Sequence, residues 1–511
     1  MTIATSALHE RPELLLGPNP FIEALPPFVP YDQWANKLRN YPLDGHDWRP
    51  LRPGAREALL SFSAKHFVPI RTIFDIASGL QDLLRRSLVL TNPLDPNERR
   101  RRNTVLLSTS LKEMRRVASL DAAGAIIKGM TGMGKSRIVA RVLEIIAPDQ
   151  VIRHGPSEEC KWTKLDQLIW VYVNHASNGS RGGLLKLVLS AIDEALGTDY
   201  YVQHHKKGNI DSLLATVART LSNHRVALLV IDEKQKQNFD DSPWGIEFIL
   251  FYLTLMNLGI SVVMVGSPLA FINLEGFSQV QRRFSIGGIH ELVPASSADS
   301  PWWKEDFVPR MRRFSLLESD AVEKSVRDKL EFELTGGIPG LYVALDAASQ
   351  RAALRRSSAL SSAELALKDI HTGADSATFR DLKDIALAAT GKESDSPAKT
   401  AYLDIPETQD KASTEGAAKP AGGQAAQVPL VRDASTHAAV QRLLRAHKAS
   451  LTRQHNSTAA RLKSMANLSE EEVTMLGFSD DLIEAALKTK DGQATSAPQP
   501  KRPKPKSSSD K

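Results

Sequence analysis

The stretch Gly129-Met130-Thr131-Gly132-Met133-Gly134-Lys135-Ser136 constrains this chain more than any other. It matches G-x-x-x-x-G-K-[ST] at every fixed position, with the apolar run GAIIKG before it and the amphipathic KSRIVARVLEII after it. Glycines at those places let the backbone wrap a phosphate without Cβ clashes, and the N–H groups at the helix start then face negative charge. A chance glycine turn would not bring both flanks with it. The spacing therefore predicts a strand, a phosphate-holding loop and a helix. Gly129, Met130, Thr131, Gly132, Met133, Gly134, Lys135, Ser136 and Arg137 are the expected nucleotide contacts. Lys135 is expected to reach the β- and γ-phosphates, and Ser136 to ligate Mg²⁺.

A phosphate loop of this kind needs acidic partners on a neighbouring strand. The run VALLVIDE supplies them, with Asp232 and Glu233 at its C-terminal end. Asp232 is expected to hold the magnesium, directly or through water, and Glu233 to polarise the attacking water as a general base. The next apolar run, SVVMVGSP, ends in Ser267, which either touches the γ-phosphate or the water, or is a plain turn residue. Arg282 and Arg283 in VQRRFSIGGIHEL precede the last strand. In a monomer they face solvent, with a surface salt bridge as the plain alternative; in a ring or helix of subunits that edge faces the neighbour's nucleotide, and Arg283 is favoured over Arg282 as a trans arginine.

The pattern around these motifs is α/β. Near-continuous Val/Ile/Leu runs alternate with amphipathic stretches from about 121 to 295, which predicts a parallel sheet flanked by helices on both faces. Before it, residues 1–53 read as an extended, proline- and aromatic-rich arm that packs on its own domain or on a neighbour, and 54–120 as a helical region. That region carries Arg99–Arg102, either a solvated face or a phosphate contact. After the sheet, 296–393 read as a helical lid. Residues 394–433 are a flexible linker, 434–490 a small helical module, and 491–511 a basic, proline-rich, disordered tail.

Composition removes several alternatives. With 42% hydrophobic and 24% charged residues the chain is ordinary globular material. The single cysteine, Cys160, excludes an intrachain disulfide and a cysteine-based zinc cluster and fits a reducing compartment. No run of about 18 apolar residues exists to span a membrane, and no signal-peptide core is present, so the expected location is the cytoplasm. The net charge of +6 is compatible with nucleic-acid binding without arguing for it.

The order of parts resembles an AAA+ ATPase: phosphate loop, Asp-Glu strand, polar strand end, arginine before the last strand, and a lid opening on TGGIPG. Within that superfamily, NPFIEALPP, GAIIKGMTGMGKS and the GSP…QVQRRF segment resemble the TnsC/TniB group of transposition regulators over about residues 20–390. The resemblance implies ATP and Mg²⁺ as cofactors and ATP hydrolysis as the activity. It also implies homo-oligomeric assembly, as a ring or helical filament, on double-stranded DNA in the bacterial nucleoid. The partners implied are transposase subunits and a target-selector protein, with hydrolysis driving disassembly. It places DNA contacts in NHASNGSRGGLLK, at Ser180, Arg181 and Lys186, reading backbone and not base edges. Many AAA+ lids carry a sensing arginine soon after the Gly-Gly-x-Pro turn; this chain offers none before Arg351. The C-terminal module and basic tail read as a docking arm for the transposase. Two other readings stay open: a helicase loader or initiator-like ATPase, and a STAND-type signalling scaffold that does not bind DNA.

Overall fold

The computed structural model describes residues 5–117, 120–175, 181–205, 209–234, 245–268, 270–271 and 278–382. The chain divides into two units, Met1–Gly416 and Ala417–Lys511. The second unit, and with it the expected linker, helical module and basic tail, lies outside the described residues.

The architecture is built on five parallel strands in the order β4-β5-β6-β1-β7. These are β1 (Gly124–Gly129), β4 (Trp170–Asn174), β5 (Leu228–Lys234), β6 (Ser261–Gly266) and β7 (Ile289–Leu292). Every residue of β6 is buried, and so are Leu228, Leu229, Val230 and Ile231 of β5, because a strand covered by helices on both faces has no polar side to show. β1 sits between β6 and β7 with Ile126 opposite both Met264 and Ile289. Its C-terminal end, where the phosphate loop begins, thus opens beside that of β6. Between β1 and β4 the chain makes an antiparallel hairpin of β2 (Val151–His154) and β3 (Leu165–Leu168). Four-residue strands around GPSEECKWTK carry too short an alternation to be read from sequence.

The N-terminal residues do not form one long element. They make short helical turns, Thr5–Glu10, Pro12–Leu16, Pro20–Glu23, Tyr31–Gln33 and Trp34–Leu38, two of which open on a proline. Phe21, Ile22 and Trp34 are wholly buried in the same apolar cluster as the strands. The Arg71–Leu90 helix receives this segment. Gln81 accepts from the Val29 amide at 2.9 Å and donates to the Val29 carbonyl at 3.0 Å. Arg85 makes a two-pronged contact with Glu13 and donates to the Pro26 carbonyl. Asn19 caps the turn through the Phe21 amide and donates to the Leu88 carbonyl.

The segment after β7 is mainly helical, with Lys324–Thr335, Pro339–Arg356 and Leu367–Ala374 as its main elements. It also contains a two-residue parallel ladder, β8 (Ser319–Asp320) against β9 (Glu364–Leu365), too short to leave a period-2 signal. Its interior holds an ionic network: Arg327 reaches Asp320, Glu331 and Asp346, and Arg312 reaches Asp328 and Glu331. No helix among the described residues is long and apolar enough to cross a membrane.

Candidate nucleotide site

The phosphate loop joins β1 to the Lys135–Ile146 helix, and its glycines serve different ends. Gly132 and Gly134 take φ of +87° and +79°, the left-handed region that L side chains rarely enter. A Cβ on Gly129 would lie 2.7 Å from the Leu292 carbonyl oxygen, so β7 packs too closely for any side chain. In front of Gly134 nothing lies within 4 Å. Gly134 is also the N-cap, and no side chain caps the helix, so its first amides are turned to open space and suit an anion. Met130 and Met133 are buried and anchor the loop, while Thr131 and Ser136 are exposed. Lys135 Nζ donates to the carbonyls of Gly129 and Met130 at 2.7 and 2.9 Å, which folds the ammonium over the loop.

The acidic strand stands two places away. Asp232 is 2% exposed, opposite Asn174 of β4. Its carboxylate accepts a short hydrogen bond from the Tyr172 hydroxyl. Tyr172 is a functional candidate that sequence reasoning did not find; its place two residues before the end of β4 gave no distinctive signal. The β5–β6 ladder shifts register between Ile231 and Lys234, so Asp232 and Glu233 sit on a local irregularity. The Glu233 side chain lies outside the described residues. Ser267 follows β6, the strand between β5 and β1, and is 5% exposed. Its Oγ is buried with no hydrogen-bond partner among the described residues. An unpaired buried hydroxyl costs about 1–3 kcal/mol; a phosphate oxygen or an ordered water between the loop and Asp232 would remove that cost. The chain therefore brings Lys135, Ser136, Asp232 and Ser267 to one edge of the sheet, and the residues present fit a magnesium–nucleotide.

Arg137 is differently engaged from the sequence expectation. Its guanidinium donates to the His66 carbonyl at 2.7 Å and lies 5.7 Å from the Phe67 ring centre, so it ties the helix to the N-terminal region. His66 itself is buried, with Nε2 3.0 Å from the Arg310 carbonyl oxygen and its ring stacked on Tyr41. Burial pushes its imidazole below the ordinary value of 6.5. A depressed folded-state pKa means that the neutral ring's contribution to stability is present above pH 6.5 and is lost as pH falls through the lower value. The melting temperature is expected to fall on acidification below pH 6.5, by on the order of 2–4 °C per kcal/mol lost. That fall should be shallower in His66→Gln when followed by circular dichroism.

The lid segment touches the loop itself. The Gly340 amide donates to the Gly132 carbonyl at 2.8 Å, and a Cβ on Gly340 would lie 2.7 Å from that oxygen. Gly337, at φ +70°, accepts from the Ala295 amide. The TGGIPG turn is thus clamped between the phosphate loop and the chain leaving β7. Arg351 is paired with Glu57 at 3.5 Å, alongside Arg355 at 2.7 Å.

Arg283 lies on the Ser278–Gly287 helix, 3.4 Å from Asp121 of its own chain and with its side chain 14% exposed. Burial holds its guanidinium below the usual value. Of the two readings of Arg283, the ion pair is the one the single chain displays, and Arg282 is its exposed neighbour. Of the expected DNA contacts, Ser180 and the Arg181 side chain lie outside the described residues; Lys186 is half-buried on the Arg181–Leu196 helix.

Residues 120–273 match a family model described as an AAA domain. With the parallel sheet and the loop geometry above, the fold class is settled. The fold is AAA+. No curated protein sequence matches the chain. Among solved structures, Cdc6p from Pyrobaculum aerophilum aligns over 78% of this chain and 88% of its own, at 13% identity and a TM-score of 0.36. The Aeropyrum pernix ORC1 protein, solved in complex with DNA, aligns over 75% and 95%, at 15% identity and a TM-score of 0.34. The Walker-type ATPase PABY2304 of Pyrococcus abyssi aligns over 71% and 91%, at 12% identity and a TM-score of 0.33. At these scores they add nothing to what the sheet and the family match establish.

Proposed function

We propose that this AAA+ domain binds and hydrolyses ATP with Mg²⁺, and that its ATP-bound form assembles on duplex DNA as a transposition regulator. The observation that carries the nucleotide chemistry is the alignment of loop, orphaned Ser267 hydroxyl and buried Asp232 at the ends of β1, β6 and β5. In this reading Lys135 and the loop amides hold the phosphates, and Ser136 and Asp232 hold the metal. Bound magnesium would neutralise phosphate charge. Tyr172 fixes the Asp232 carboxylate, Glu233 takes the proton of the attacking water, and Ser267 orients that water or an oxygen of the γ-phosphate. Arg282, the exposed arginine, is the better placed of the pair to reach a neighbouring protomer's nucleotide. The DNA and transposase partners rest on the sequence resemblance, chiefly NPFIEALPP and the QVQRRF segment.

Steady-state hydrolysis and light scattering, each with and without duplex DNA, test the reading. Hydrolysis stimulated by DNA and scattering that needs both ATP and DNA are expected, both weakening steeply with salt. Indifference to duplex at low salt would sink the DNA-bound regulator, and capture of a hexameric helicase would assign the chain to the loader class instead. Tyr172→Phe should raise the Mg²⁺ concentration for half-maximal hydrolysis by about tenfold, since partners that orient a metal-holding carboxylate are typically worth 10–100-fold in metal affinity. A magnesium titration unchanged from wild type would remove Tyr172 from the site.

A further inference from the structure

A second concentration of unsatisfied charge lies at the other end of the sheet. The Pro96–Leu107 helix, the end of the Ile210–Asn223 helix and the residues entering β5 and β6 enclose a small pocket. Its lining includes Glu98, Arg101, Arg102, Ser222 and Arg225. Arg225 and Val226 stand just before β5, whereas Asp232 stands at its far end, so the pocket is roughly 20 Å from the nucleotide chemistry at about 3.3 Å per strand residue.

Glu98 is the pocket's only acidic lining residue, and it is buried. It accepts from Arg101 at 2.6 and 2.8 Å and from Arg225 at 3.2 Å. Arg102 instead donates to the Asn223 carbonyl at 3.2 Å. Two guanidiniums therefore share one carboxylate, and a third lies beside them with no carboxylate contact among the described residues. Arg225 has only 3% of its side chain exposed, yet its Nε has no partner among the described residues; nor have Arg101 Nη1, Arg102 Nε and Ser222 Oγ. Burial, with Arg102 beside it, draws the Arg225 guanidinium down to about 9, the response of a cation short of negative charge. A trapped water accepts only two hydrogen bonds, and neutralises nothing. The space admits little more than one water-sized atom.

We propose that this pocket is an anion site, which takes a halide ion or a single oxygen of a phosphate group. The anion supplies the acceptor that the four buried donors lack and offsets the excess guanidinium charge. It also steadies the N-terminal region, because the Phe21 ring of the NPF turn lies 5.7 Å from the Arg225 guanidinium. The arginine run read in the sequence as either solvated or phosphate-facing is thus split. Arg99 is spent on the carbonyls of Pro93, Leu94 and Glu159, Arg100 is exposed, and Arg101 and Arg102 face the pocket.

The test is thermal melting of the full chain at constant ionic strength, titrated with chloride in one arm and inorganic phosphate in the other, with gluconate as the balancing anion. A saturable rise of several degrees is expected in at least one arm. Half-saturation should move up by at least about tenfold in Arg102→Gln, which removes a charged donor. Comparing the two proteins cancels any anion bound at the distant phosphate loop. A response to chloride alone identifies a halide site, and one to phosphate alone an oxyanion site. Should Arg102→Gln not fold, Ser222→Ala takes its place, and a bromide-soaked crystal of the wild type reports the site directly. Curves that do not saturate, titrations identical in wild type and variant, or no anomalous bromide peak against Arg102 and Ser222 together with a flat phosphate arm would each overturn the proposal.

Discussion

Lys135→Ala is expected to abolish ATP-dependent assembly on DNA and ATP hydrolysis together. The ammonium sits over the loop on two carbonyls, one of them belonging to the first loop glycine. It is the one formal positive charge among the fixed positions of the loop, so the phosphates lose their charge-assisted partner when it goes. Hydrogen bonds to charged groups contribute about 1.5–3 kcal/mol each, so nucleotide affinity should fall by on the order of 10–100-fold. Turnover should fall further, because the same charge acts on the transferring phosphoryl group. Equilibrium titration with a fluorescent ATP analogue, phosphate release and light scattering read the three effects separately. A far-ultraviolet spectrum and melting curve like those of the wild type would show that the sheet is intact, as expected for a half-buried side chain at a helix start. ATP-dependent assemblies that persist in this variant would place the controlling nucleotide elsewhere.

The sheet and the loop could be read from sequence because each is written in consecutive residues. GAIIKG, ALLVIDE and SVVMVG are apolar almost throughout, which only a strand covered on both faces requires, and the spacing of Gly129, Gly134 and Lys135 is a local property of one turn. What escaped is what depends on distant pairs. The bond from Tyr172 to Asp232 joins neighbouring strands sixty residues apart in sequence, and nothing in WVYVN marks the tyrosine. A salt bridge at Arg283 was open from sequence, but its partner was not legible, because Asp121 lies before β1, far away in the chain. The apolar residues of NPFIEALPP were legible as too greasy for a tail, but the Arg71–Leu90 helix and the sheet cluster that receive them were not. The pocket at Arg225 is the extreme case: Glu98, Ser222 and Arg225 meet only because two helices and two strand ends converge there.

Glu233→Gln should separate the two halves of the mechanism that Lys135→Ala removes at once. The substitution keeps the size of the side chain at the end of β5 and takes away its ability to accept a proton. On the proposed reading nucleotide binding draws on the loop, Ser136 and Asp232, so affinity should stay within a few-fold of wild type, whereas loss of a general base should lower turnover by about 10²–10⁴-fold. If hydrolysis is what dismantles the assembly, the variant's DNA-bound particles should outlast those of the wild type by a comparable factor once free ATP is diluted away. Dilution followed by light scattering measures that lifetime directly. Particles that dissolve at the wild-type rate despite blocked turnover would mean that ATP holds the protomers together without timing their release. The hydrolytic residues would then serve some other step, and the nucleotide site would remain a switch for assembly alone.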